Sequence, residues 1–174
     1  GTGDSPANAA SKSVGDLAST FAKLAAVITT ERYTLIGTSF GAHVGLWQAI
    51  QSPDQVEALI LVSSPAIYPQ EVLAAASASE VHQLMFAHSE NAEKHKPLSA
   101  EIFAKESELM RRLNSGDHDS EVEDRLGDIH CPTLAVFGQE DRLVSSEAPR
   151  IYREKIPNCN IALVYDAGHC IIGD

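Results

Sequence analysis

The stretch that most constrains this chain is Tyr33-Thr34-Leu35-Ile36-Gly37-Thr38-Ser39-Phe40-Gly41-Ala42-His43. It reads as a short apolar strand, a tight turn at Ser39, and a helix running on through Val44, Leu46, Trp47, Ala49 and Ile50. A Gly-x-Ser-x-Gly turn between a strand and a helix is a nucleophile elbow. The turn strains the serine backbone, holds its hydroxyl clear of the sheet and sets it at a helix N-terminus. Side chains two residues before and two after would collide with the neighbouring strand and helix, so positions 37 and 41 are expected to need glycine or a very small residue. The N–H of Phe40 is then aimed at the oxygen that becomes negative when the serine attacks a carbonyl. Glycines that merely punctuate a βα turn are the plain alternative. The apolar strand ending at the motif, and the helical pattern starting inside it, argue against that.

An elbow needs a sheet, and the chain supplies one. V-E-A-L-I-L-V at residues 56–62 and T-L-A-V-F-G at 133–138 are nearly continuous apolar runs, as suits strands buried on both faces of a parallel sheet. Residues 161–165 read as the last strand. Residues 11–28 carry Val14, Leu17, Phe21, Leu24, Ala25 and Ile28 at helical spacing, with Gly15 weakening the first turn. A later helix from Ser145 or Ser146 turns Ala148, Ile151, Tyr152 and Ile156 inward and stops at Pro157.

Between the second and third of the four strands the texture changes. Pro69 opens a short helix through Glu71, Val72 and Leu73. Ser79 caps another, carrying Val81, Leu84 and Met85, and Ser99 caps a third with Ile102, Phe103, Leu109, Met110 and Leu113 as its stripe. Ser120-Glu121-Val122-Glu123 fits a capping box for a last one. The expected architecture is α/β: four parallel strands with flanking helices, built from residues 1–66 and 128–174, and a helical insertion over residues 67–127.

A nucleophilic serine needs a base, and the base needs a group to hold its ring. In a parallel sheet such groups gather at the carboxyl ends of the strands. Asp141 follows the third strand and His169 follows the fourth. Glu140 and Asp166 compete for the acid role, although Asp166 is close enough to His169 to be shaping that turn. His43 is expected to be structural or exposed. His82, His88, His95 and His118 fall in the polar insertion and are expected to be solvated. Cys170 is read as packing, since no histidine is placed to serve it.

Composition narrows the partners. The 174 residues are one domain's worth, and a net charge of −11 disfavours nucleic acid and anionic membranes. No apolar run is long enough to span a bilayer. Cys131, Cys159 and Cys170 are odd in number and lack a C-x-x-C pair, so neither a disulfide framework nor a zinc site is expected. A reduced, cytoplasmic location is the default.

Taken together, Gly37-Thr38-Ser39-Phe40-Gly41, Phe137-Gly138-Gln139-Glu140-Asp141-Arg142 and Asp166-Ala167-Gly168-His169 resemble the α/β-hydrolase superfamily, in that family's order Ser, Asp, His. The lead-in Ile129-His130-Cys131-Pro132-Thr133 matches too, and Gly1-Thr2-Gly3-Asp4-Ser5 resembles a loop these enzymes carry after an earlier strand. The resemblance implies a lid over residues 67–127 and the later half of the family's sheet. It also implies strands before residue 1, a His-Gly loop with a second oxyanion donor, and a helix after the histidine. A truncated piece is therefore expected, weakly active by itself, with strand 33–37 as an exposed edge.

The resemblance implies a serine hydrolase cleaving a small ester through an acyl-enzyme. Ser39 is its nucleophile, His169 its base and then acid, Asp141 the orienting acid, and Phe40 N–H the oxyanion donor. No metal or organic cofactor is required. Carbon–carbon hydrolysis of ring-fission products is a rival that wants an arginine near the serine, for which the insertion offers Arg111, Arg112 and Arg125. Perhydrolase or haloperoxidase activity uses the same three residues. A non-catalytic protein on a hydrolase fold is the rival from another class.

Overall fold

A computed structural model describes residues 5–6, 8–67, 77–113 and 118–174. The expected helix from Pro69 and residues 1–4 of the opening loop lie outside them. The chain forms α1 (Val14–Ile28), β1 (Tyr33–Thr38), α2 (Phe40–Gln51) and β2 (Val56–Val62). Next come α3 (Ala78–Leu84), α4 (Ser89–Lys94), α5 (Ala100–Arg112) and α6 (Ser120–Arg125), and a 3-10 turn at Leu126–Asp128. The chain closes with β3 (Thr133–Gly138), α7 (Ala148–Lys155) and β4 (Cys159–Val164). All strands are parallel, in the order β1-β2-β3-β4. The α/β architecture is the one expected, and no strand interrupts the described part of the segment between β2 and β3.

Parallel pairing puts every strand's carboxyl end on one edge of the sheet. Registers fix this edge, with Thr38 opposite Val62, Val62 opposite Val136, and Gly138 opposite Val164. Behind the sheet lies α2, buried at every position from Ala42 to Ile50, which is the pattern of a central helix. Gly15 is what lets α1 approach it: a Cβ there would stand 3.4 Å from the Trp47 ring and 3.1 Å from Gln51 Nε2. The same buried cluster takes in Leu109, Leu113, Val122 and Leu126, so the end of the helical segment is anchored in the core.

Four helix starts differ from expectation: α7 begins at Ala148 after Glu147 rather than at Ser145 or Ser146, and at α1 and α3 the residue three places on closes the cap. Ser13, not Ser11, caps α1, because Asp16 returns the hydrogen bond. Ser77 and Glu80 do the same for α3, whereas Ser79 would face His82. Asp119 caps α6 in place of Ser120, accepting from Val122 N–H at 3.0 Å. Ser99 caps α5 as expected. The α1 stripe is only half covered: Val14 and Ala18 are buried, but Phe21 is 47% and Ile28 75% exposed. The helix meets α2 only through its first turns. Ile36 on edge strand β1 is likewise exposed.

Asp119 ties α2 to α6. Its Oδ2 accepts from His43 Nε2 at 2.7 Å and Trp47 Nε1 at 2.9 Å. His43, expected to be structural or exposed, is fully buried, and its Nδ1 has no partner among the described residues. Of the histidines expected to be solvated, His82, His88 and His118 are half-buried and hydrogen-bonded, to Ala92 O, Asp166 and Glu123. Exposed His95 stacks on Phe86. Burial pushes the Asp119 carboxyl up, but hydrogen bonds from His43, Val122 N–H and Trp47 outweigh it and hold it below its ordinary value. A depressed carboxyl contributes stability above its unfolded pKa and loses it as pH falls through the folded value. Asp119→Asn should therefore cost about 1–3 kcal/mol at pH 7. Urea unfolding should show the gap between variant and wild type closing below about pH 4.

Candidate active site

Ser39 follows β1 with φ 52° and ψ −123°, a conformation rare for any residue with a side chain. Its N–H donates to Val62 O at 2.8 Å, and its carbonyl accepts from Ala42 N–H at 2.9 Å and His43 N–H at 3.2 Å, which starts α2. Phe40 opens that helix, so its N–H precedes the first intrahelical bond. Gly37 is obligatory, since a Cβ would stand 2.4 Å from Gly41 O and 2.7 Å from Ala42 Cα. At Gly41 the expected crowding is missing: it is exposed, and a Cβ there meets nothing within 4 Å. The expected collision fails because no described strand packs against that side of the turn.

The structure brings together the three side chains that the sequence singled out. Ser39 Oγ lies 2.8 Å from His169 Nε2, and His169 Nδ1 lies 3.0 Å from Asp141 Oδ2 and 3.3 Å from Oδ1. The His169 and Asp141 side chains are each 4% exposed. A carboxylate only accepts, so Nδ1 carries the proton and Nε2 faces the serine hydroxyl as acceptor. Asp141 Oδ1 also accepts from Leu143 N–H at 2.8 Å and Val144 N–H at 3.1 Å. Glu140 is exposed, although its N–H donates to Ala167 O at 2.9 Å and so draws the loop after β3 onto the histidine loop. Gly138 permits that crossing, as a Cβ would stand 2.2 Å from Gly168 O. Asp166 takes φ 59° and meets His88 at 2.8 Å, which fits the expected turn-shaping role. Cys170 is half-buried.

One contributor was not read from the sequence. Ser63, fully buried after β2 with φ 49°, donates its hydroxyl to His169 O at 2.9 Å. Its only signal was a place at a strand end. The three non-glycine residues with positive φ among those described are Ser39, Ser63 and Asp166, just past β1, β2 and β4. Backbone strain is thus confined to the edge of the sheet where these side chains meet. The described cavity lined by Arg32, Glu57 and Cys131 holds none of them and lies by the amino ends of the strands.

A parallel sheet with an elbow serine after one strand, and an aspartate and a histidine after later ones, defines the α/β-hydrolase fold. Residues 18–172 match the BAAT / acyl-CoA thioester hydrolase C-terminal family, and the chain belongs to it. It is similar to the putative carbamate hydrolase RutD of Klebsiella pneumoniae (strain 342), with 28% identity over 164 residues, 82% of this chain and 61% of that protein. The chain thus spans about three-fifths of the length of the curated relatives it matches. Among solved structures it resembles an esterase from Exiguobacterium antarcticum (TM-score 0.75, 18% identity, 99% of this chain and 72% of that one). It also resembles a Paleococcus ferrophilus monoacylglycerol lipase (TM-score 0.70, 17% identity, 97% and 71%). At these identities the structures speak to the fold.

The elbow glycines should separate cleanly by thermal unfolding. Gly37→Ala must displace backbone and should cost more than about 3 kcal/mol. Gly41→Ala enters open space and should stay within about 0.5 kcal/mol of wild type. Equal effects would mean that the turn is packed differently from the geometry given.

Proposed function

We propose that this chain carries the nucleophile, base and acid of a serine hydrolase working through an acyl-enzyme. The observation that carries the reading is the unbroken hydrogen-bond line from Ser39 Oγ through His169 to Asp141. Ser39 Oγ attacks the substrate carbonyl as its proton passes to His169 Nε2. Asp141 stabilises the imidazolium and keeps its orientation. Phe40 N–H donates to the oxyanion. Collapse of the tetrahedral intermediate expels the leaving group, which takes the proton from His169. Water then attacks the acyl-enzyme by the same route, releasing the acid and free Ser39. No step calls for a metal or organic cofactor.

The substrate class is a small carboxylic ester with an apolar part. A thioester is the second reading, favoured by the family match across residues 18–172. The chemistry is the same, with a thiolate leaving in place of an alkoxide. Carbon–carbon hydrolysis has no such support: Arg111 pairs with Glu108, Arg112 donates to Asn8 O and Ser11 O, and Arg125 pairs with Asp128. Residues 67–127 serve as the lid in this reading, with the anchored α5–α6 end as its root. No described helix is long and apolar enough to cross a membrane.

A fluorophosphonate probe should label wild-type protein at Ser39 and leave Ser39→Ala unlabelled, by peptide mass mapping. Asp141→Asn should lower turnover of p-nitrophenyl acetate by up to about 10⁴-fold. Glu140→Gln and Asp166→Asn should do far less. Labelling that survives Ser39→Ala, or a larger loss from either control, would sink the assignment.

A further inference from the structure

We propose that Asp174 is a positioning residue for His169: its carboxylate joins the histidine loop to the Met85–His88 turn of the helical segment, so that this turn sets where the imidazole stands. This rests on the serine-hydrolase reading above. The peptide units around His169 are held at four points, one of them being Glu140 N–H, which donates to Ala167 O at 2.9 Å from the loop after β3. Gly168 N–H donates to Asp174 Oδ2 at 2.6 Å, Ser63 Oγ donates to His169 O at 2.9 Å, and Cys170 N–H donates to Met85 O at 2.7 Å. The Ser63 and Glu140 bonds come from the carboxyl edge of the sheet, and the other two come from Asp174 and the helical segment.

The same Asp174 carboxylate accepts from Ala87 N–H, at 3.0 Å and 3.2 Å to its two oxygens, and from Asn91 Nδ2 at 3.3 Å. One anionic group therefore takes backbone donors from both sides of the gap between loop and turn, which are the stronger, charge-assisted kind. Burial opposes ionisation of Asp174, but the N–H groups of Ala87 and Gly168 and the Asn91 amide outweigh it, so the carboxyl stays below its ordinary value.

Contact across the gap is direct. A Cβ on Gly168 would stand 2.7 Å from Ala87 N and 2.9 Å from Phe86 C, so two backbones touch with no side chain between them. A shift of the turn is passed straight to the residue before His169. Phe86 seats the turn: it is buried, packs edge-on to His82 at 5.2 Å and stacks on His95 at 5.3 Å. The outer ties, His88 to Asp166 and Arg142 to Ala87 O, are solvent-exposed and count for little. Proton transfer requires Nε2 within hydrogen-bond reach of Ser39, and catalytic groups tolerate only about 0.5 Å of play.

The test uses the whole protein and p-nitrophenyl acetate. Asp174→Ala should lower kcat about 10–100-fold with KM little changed, the size expected for a small misplacement of a catalytic group. Asp174→Glu should recover part of the loss. Phe86→Ala, which unseats the turn without touching the carboxylate, should cause a similar loss, and the double variant should be no worse than either single one. Proton NMR supplies a readout that does not need turnover. The downfield His169 Nδ1–H signal should broaden or vanish in Asp174→Ala and return in Asp174→Glu. Unchanged kcat and an unchanged Nδ1–H signal in Asp174→Ala would overturn the proposal, as would additive losses in the double variant. If Asp174→Ala does not fold, Asp174→Asn carries the same two readouts. Failure of the underlying reading looks different: wild-type Ser39 would then refuse the fluorophosphonate while the Nδ1–H signal still responded to Asp174.

Discussion

The hydrogen bond from Ser39 N–H to Val62 O is the constraint on which the rest of this structure depends. It closes the last rung between β1 and β2 and holds a side-chain-bearing residue in a backbone region that costs on the order of 1–3 kcal/mol. Nothing local to the turn favours that conformation. It survives because α2, starting at the next residue, is locked in place by burial along its length. His43 and Trp47, one and two turns into the helix, are fixed in turn by Asp119. Strain at the serine is thus offset by packing a turn or two away, and the hydroxyl is presented by a rigid support.

The same logic repeats along the sheet. Each strand delivers its chain to one edge, and three of the four exits take a positive φ without glycine. Ser63 is instructive, since its strained backbone carries a buried hydroxyl that reaches the His169 carbonyl from a strand two places away in the sheet. Asp141 and His169 leave adjacent strands β3 and β4, so their meeting follows from register and from the bare Gly138 that lets the two loops cross.

What could be read from the sequence was what depends on neighbours in the chain. Apolar runs fixed the strands, and strand-end positions picked out Ser39, Asp141 and His169. Cap positions slipped by one or two residues: at α1 and α3 several serines competed and the residue three places on decided between them, whereas at α6 Asp119 took the place of Ser120. Gly41 was misread because the collision assumed for it needs a strand that is not among the described neighbours. The half-bare stripe of α1 is the same kind of error, since periodicity reports which face is apolar and not whether anything covers it. Ser63 and Asp174 were invisible for a different reason. Apart from Asn91 beside Asp174, their partners are backbone groups, which every residue has, so no side-chain pattern points to them.

The two buried His–Asp pairs show why geometry, and not residue pairing, has to decide chemistry here. Asp119 and Asp141 are built on one plan: each carboxylate accepts from one histidine nitrogen and from nearby backbone, Asp141 from two N–H groups and Asp119 from one, with Trp47 Nε1 beside it. Both histidines are almost fully buried. They differ in what the second ring nitrogen meets. Nε2 of His169 meets a serine hydroxyl at 2.8 Å, whereas Nδ1 of His43 meets no partner among the described residues. In the serine-hydrolase reading proposed above, Nε2 of His169 takes the Ser39 proton as the oxygen attacks. The first pair ties α2 to α6, and the second ends on the hydroxyl of the elbow serine.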